Sequence, residues 1–231
     1  MTRLTVSPVR FLPPSPLTVE ADGGRLPLAE RINQLTHGAG LVLSVVAALA
    51  ILVATASATP AAAVGGSLFA VSLVALYAAS TLSHSFADGP RRTFWRMVDQ
   101  IAILGLGVGS FAPFALVHTA DIRGLSVLSA MSVAAVVFSW MRVRLGERGL
   151  PPAWILVVGW MPALLTDRLW QVGGPTGFAL VAGGALLYTC GVWFLLNDAR
   201  RVYFHGIWHL FTVAASGCHF AFLYGWCIAP G

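Results

Sequence analysis

His84, Asp99, His205 and His209 are ionisable side chains set in or beside apolar runs long enough to cross a bilayer. Such groups are costly at membrane depth, and by default they mark function. His205 and His209 are four residues apart, so on a helix their imidazoles share one face. That spacing lets two rings grip one ion. With His84 as a third nitrogen donor, the set matches a catalytic-type zinc site, where three protein ligands leave a fourth position open. Zinc so held lowers the pKa of water to about 7 and polarises a carbonyl. Asp99 suits a place off the metal, where it holds that water, takes its proton and partly offsets the ion's charge. Ser80 lies one turn before His84 on the same face, within reach of a water or a substrate oxygen.

Each residue also has a plainer reading. Two histidines at a membrane interface can bond headgroups. Asp99 can pair with Arg92 or Arg96 at the interface. Ser80 can bond the carbonyl one turn back, as serines in apolar helices do. Glu30, Asn33 and His37 form a further polar stripe at i, i+3 and i+7. It reads as a cap and an interhelical hydrogen-bond network. His37 as a fourth metal ligand is the alternative, and would close the site. His219 is ten residues beyond His209, roughly 15 Å along a helix, and reads as a packed histidine. His118 reads as interfacial.

For the four groups to meet, the chain must bring them to one depth. Its composition names the solvent. Of 231 residues, 57% are hydrophobic and only 10% charged. A soluble domain carries about 25% charged residues, so most of this surface faces lipid. The apolar runs are unbroken, whereas a β-barrel shows alternating segments of roughly ten residues. The fold class is therefore all-α, a polytopic membrane protein. A spanning helix needs about 20 mostly apolar residues. The sequence predicts seven such spans, over 32–54, 62–86, 97–117, 124–142, 150–166, 173–197 and 203–228. Breaks at Thr59-Pro60, Asp88-Gly89-Pro90 and Gly173-Gly174-Pro175 separate several of them. Pro113 is expected to kink the third span. Gly105, Gly107 and Gly109 are expected to allow close helix approach.

The basic residues are fourteen arginines, with no lysine. They are scattered in short loops without a basic face, so they indicate topology and not a nucleic-acid partner. Twelve fall on one side of the seven spans; only Arg123 and Arg168 fall on the other. Arginine-rich loops stay in the cytoplasm, which puts the N-terminus inside and the C-terminus outside. His84, Asp99, His205 and His209 then share the cytoplasmic end. Residues 1–29 hold five prolines and no apolar run of signal-peptide length, and read as a flexible cytoplasmic tail without cleavage. Residues 30–231 read as one transmembrane domain. The three cysteines include no CxxC pair, which argues against a disulfide framework or zinc ribbon.

Several stretches together resemble the hemolysin III branch of the adiponectin and progestin receptor-related family. They are Glu30-Arg31-Ile32-Asn33 through Thr36-His37-Gly38, Ala79-Ser80-Thr81-Leu82-Ser83-His84, Asp99, Gly109 to Phe114, and Tyr203-Phe204-His205-Gly206-Ile207-Trp208-His209-Leu210-Phe211 followed by His219-Phe220. The resemblance runs from Glu30 to Leu223. It implies seven helices with the N-terminus inside, and zinc on His84, His205 and His209. It also implies that Asp99 contacts the water on that zinc and that Ser80 is the family's serine. Relatives are linked to lipid amide hydrolysis, and the wider superfamily includes alkaline ceramidases. One departure is Gln100, where bacterial relatives often have histidine.

The sequence therefore points to an integral zinc hydrolase in the cell membrane. Its substrate would be a membrane lipid with an amide or ester bond, arriving laterally from the bilayer. Two other classes stand beside it. A pore former or membrane-perturbing protein should show a polar face along a whole helix, and here the polar residues gather at one end. A receptor or regulator with structural zinc would use the same three ligands to tie helices together.

Overall fold

A computed structural model describes residues 26–146 and 149–229, and every regular element among them is helical. The helices are α1 (Leu28–Thr55), α2 (Pro60–Ser83), α3 (Pro90–His118), α4 (Ile122–Leu145), α5 (Ala153–Trp160), α6 (Thr166–Leu196) and α7 (Phe204–Leu223). A 3₁₀ turn, Met161–Leu165, joins α5 to α6, and a π-helical turn, Tyr224–Ile228, ends α7. The expected tail lies outside the described residues up to position 25. Its last two residues, Leu28 and Ala29, already belong to α1.

Local chemistry sets the helix starts. Thr59 Oγ1 accepts the amide of Ala62 at 3.3 Å, and Pro60 fills the first helical position, where no N–H is needed. Asp121 Oδ1 accepts the amide of Gly124 at 3.0 Å and starts α4. Pro90 opens α3 seven residues earlier than the sequence predicts. Asp99 consequently sits in the third turn of that helix.

α1 shows why these helices need lipid. Its buried residues are Asn33, His37, Gly40, Ser44 and Ile51, one stripe at helical spacing. Leu35, Val42, Leu43, Val46, Leu49, Leu52 and Val53 face outward. In water this pattern would be inside out. Six helical segments among the described residues are long and apolar enough to cross a membrane. The chain is a multi-pass membrane protein, consistent with the plasma membrane. The fifth and sixth predicted spans fall within one of the six, the 44-residue stretch Ala153–Leu196. Its course breaks at Gly174, whose φ of +57° and ψ of −160° no helix contains, immediately before Pro175.

Close approaches seat the helices on one another. A Cβ on Gly65 of α2 would stand 2.6 Å from Pro113 Cα of α3. α3 runs continuously through Pro113, which serves as the surface that Gly65 packs on. Gly109 abuts Ser72, and Gly107 faces Val158. Gly105 faces open space, contrary to the expectation of close packing there. Beyond Gly174, α6 lies against α7 in antiparallel sense. Gly177 faces Phe222, Gly184 faces His219, and Gly191 faces Phe211 and Trp208.

Contacts distinguish the two ends of the bundle. At one end Glu30, His84, Arg92, Asp198 and His205 gather. At the other, Arg123 pairs with Asp167 at 3.0 Å and Arg168 with Asp121 at 3.2 Å. There too His118 Nε2 donates to the carbonyl of Trp226 at 2.7 Å, so this residue links α3 to the final turn.

Candidate metal centre

His84 is the residue that ends α2, just past its last helical position. His205 and His209 occupy the first two turns of α7. Gly206 lets that helix approach α1, since a Cβ there would come within 2.6 Å of Ile32 Cγ2. The three rings form a triangle. Centroids are 5.1 Å apart from His84 to His205, 5.1 Å from His84 to His209, and 4.6 Å between His205 and His209. One ligand atom from each lies within 4.8 Å of the others. Tetrahedral zinc holds ligand nitrogens roughly 3.4 Å apart.

Hydrogen bonds decide which nitrogens are available. His84 Nδ1 is 2.7 Å from Glu30 Oε2, and His205 Nδ1 is 3.0 Å from Asp198 Oδ2. His209 Nδ1 is 3.2 Å from the carbonyl of Asn33 and 3.0 Å from Thr36 Oγ1. Thr36 directs its own hydrogen to the Ile32 carbonyl at 2.9 Å, so its oxygen can accept. Carboxylates and carbonyls only accept, so all three Nδ1 atoms carry the proton. Each Nε2 lone pair is left for a cation. This is the outer-shell arrangement that orients metal-bound histidines. The residues present fit a divalent ion.

The polar stripe on α1 is the network that the sequence suggested, now with named partners. Glu30 bridges His84 and Arg92 with its two oxygens. Arg92 is buried, and its other contact is Asp88 at 2.6 Å. Asn33 supplies its backbone carbonyl to His209. His37 is not among the converging ligand atoms. It stacks on His209 instead, with Tyr77 at its edge.

Asp99 sits beside Ser80, Ser83 and His205, off the triangle of ligand nitrogens. Arg92 does not reach it; that guanidinium is taken by Glu30 and Asp88. Ser80 is fully buried, and its Oγ has no hydrogen-bond partner. The bond to its own helix that the plain reading requires is absent for Ser80, whereas Ser83 makes one to the Ser80 carbonyl at 2.9 Å. Three histidine side chains, a carboxylate and a buried serine hydroxyl thus gather at this end of the bundle.

Gln100 bonds elsewhere than this cluster. Its Oε1 accepts from Arg142 Nε and, at 3.3 Å, from the amide of Leu150. It ties α3 to the chain between α4 and α5. Asp198 is a contributor that the sequence reading did not identify. It precedes His205 by seven residues, but the two lie in different elements, a 3₁₀ turn and α7, so helical spacing does not relate them.

Comparison with known proteins agrees with this constellation. Residues 27–220 match the family model described as "Haemolysin-III related". The chain belongs to the hemolysin III family. It is 29% identical over 195 residues to Hemolysin-3 of Bacillus cereus, covering 83% of this chain and 88% of that protein. It is 28% identical over 203 residues to the Hemolysin-3 homolog of Bacillus subtilis (strain 168), covering 86% and 94%. His84, His205 and His209 all lie within the matched region.

Proposed function

We propose that this hemolysin III protein holds zinc on His84, His205 and His209 and hydrolyses an amide or ester bond of a membrane lipid. The observation that carries the reading is that His84, His205 and His209 each bring a ligand atom within 4.8 Å of the others while their Nδ1 atoms are taken by acceptors, which leaves the Nε2 lone pairs free. When bound there, zinc supplies a Lewis acid and lowers the pKa of water to about 7. Asp99 takes a proton from water at its carboxylate and delivers it to the leaving group. Ser80 Oγ donates to the substrate oxygen. Glu30, Asp198 and Thr36 hold the ring orientations. His84 and His209 are 2% and 1% exposed, while His205 is half-buried, so access is from the side of His205.

The same reading includes seven crossings with the site at the cytoplasmic end. A 44-residue helical stretch is roughly 66 Å long, about twice the hydrocarbon thickness. Leu150 is bonded near the site end of α3, and Arg168 is bonded to Asp121 at the opposite end. From Gly177 to Gly191 the chain runs back along α7. These contacts support one crossing before Gly174 and another after it. Among the described residues, eight of the ten arginines then lie at the site end, which supports the N-terminus inside and the C-terminus outside.

The test is product release from a panel of labelled lipid amides and esters by the purified, zinc-loaded protein. Turnover that is lost in His205→Ala supports the reading; no turnover across the panel at full zinc occupancy removes it. Burial of His84 and His209 where α1, α2 and α7 meet favours a second reading, a receptor or regulator whose zinc is structural. In that case zinc removal melts the bundle without any product ever being seen. The relatives' name suggests membrane lysis as a third, which ion flux across reconstituted liposomes would reveal.

A further inference from the structure

The three candidate ligands come from two helices. His84 closes α2, while His205 and His209 open α7. The separation of those helices therefore sets the separation of the rings. Among the described residues, one side chain makes every side-chain hydrogen bond between α2 and α7. It is Tyr77, two turns before His84 and 2% exposed. Its hydroxyl donates to Ser216 Oγ at 2.9 Å, with the Thr212 carbonyl as a second acceptor at 3.2 Å. Ser216 Oγ is paired in turn with the Tyr188 hydroxyl of α6 at 2.8 Å.

The same side chain is pressed on α1. A Cβ on Gly40 would stand 2.7 Å from Tyr77 Cδ1, so the ring lies directly on the α1 backbone. One turn earlier on α1, the His37 ring meets that of Tyr77 at 90°, with 5.1 Å between centroids. His37 stacks on His209. Tyr77 thus reaches α7 by two routes. Its hydroxyl bonds that helix one and two turns beyond His209. Its ring backs the imidazole on which His209 lies.

We propose that Tyr77 is a positioning residue of the metal centre, a strut that fixes the distance from His84 to His209. The inference rests on the metal reading. Tyr77 is not a ligand and acts only through the helices and the ring that it braces.

The experiment uses the full-length protein in lipid nanodiscs. It measures zinc affinity by chelator competition, the visible spectrum of the cobalt(II)-loaded protein, which reports ligand geometry, and the melting temperature. Tyr77→Phe keeps the ring on Gly40 and His37 and removes the tie to α7. It is expected to weaken zinc about tenfold, the scale of one hydrogen bond to a buried group, and to shift the cobalt bands. Gly40→Ala moves the same ring from the α1 side and should shift the same bands, so the proposal does not hang on one variant. Phe222→Leu, a core change at the far end of α7, should lower the melting temperature and leave both metal readouts unmoved. Unchanged zinc affinity and cobalt bands in Tyr77→Phe and Gly40→Ala overturn the proposal. So does an equal loss of zinc in Phe222→Leu, because the effect is then general loosening. If the unaltered protein takes up neither metal, the metal reading falls and this inference with it. Uptake that is lost in His205→Ala but indifferent to Tyr77 and Gly40 removes this inference alone.

Discussion

Glu30 Oε2 stands 2.7 Å from His84 Nδ1, across 54 residues of chain, while its other oxygen holds the buried guanidinium of Arg92. One carboxylate thus fixes a candidate ligand and neutralises a buried cation. Glu30→Gln keeps the size and one acceptor but loses the charge. We expect zinc affinity to fall about 10- to 100-fold, as for other outer-shell partners, read by chelator competition. Arg92→Met in the same background should recover thermal stability, because no uncompensated charge then remains.

His37 lies face to face with His209, 3.5 Å between centroids and 17° between planes, and neither of its nitrogens has a partner. Its contribution is the flat surface that limits rotation of His209. His37→Phe should therefore retain zinc, whereas His37→Ala should weaken it. Metal content after equal dialysis separates the two. Loss of zinc in both variants would show that a nitrogen of His37 is needed.

Asp99 and Ser80 are off the ligand triangle, so their removal should spare the metal. Asp99→Asn is expected to cut turnover at least about 100-fold, the scale of lost general-base catalysis, with zinc stoichiometry unchanged. Ser80→Ala should lower turnover less. Loss of zinc from Asp99→Asn would instead make that carboxylate a ligand.

Gly65 and Pro113 set how closely α2 and α3 pack, and so how α2 presents Ser80 and Ser83 to Asp99. Gly65→Ala drives a methyl to 2.6 Å from a backbone atom, which cannot rotate away. A loss of about 1–3 kcal/mol is expected, read as a lower melting temperature. Gly105→Ala, facing open space, is the control and should change little.

At the opposite end, the Gly124 amide and the neighbouring Arg168 hold the Asp121 carboxyl below its ordinary range. A depressed folded-state pKa stabilises above the unfolded value and is lost as pH falls through the folded one. The melting-temperature gap between the unaltered protein and Asp121→Asn should be full at neutral pH and close below about pH 4. A constant gap would mean that the carboxylate charge contributes nothing there.

Much of the site was legible because its signals are local or chemical. The i, i+4 pair His205 and His209 needs only a helix to share a face. Charge at membrane depth marked His84 and Asp99 without any knowledge of packing. The α1 stripe was visible as polarity at helical spacing. Its partners were not, because Glu30 meets His84 and Arg92 only when α1, α2 and α3 pack. Asp198 left no signal at all, since a loop carries no periodicity to relate it to His205. Gln100 sits next to Asp99 in sequence yet points to Arg142, because adjacent helical residues face about 100° apart.

The sequence alone determined the solvent, the helical class, the family resemblance and the residue types able to hold a cation. Those follow from composition and short-range spacing, which survive without coordinates. Only the tertiary structure decided which imidazole nitrogen is free and that His37 stacks on His209. Each of these depends on hydrogen-bond geometry between segments far apart in the chain, and no local pattern encodes it.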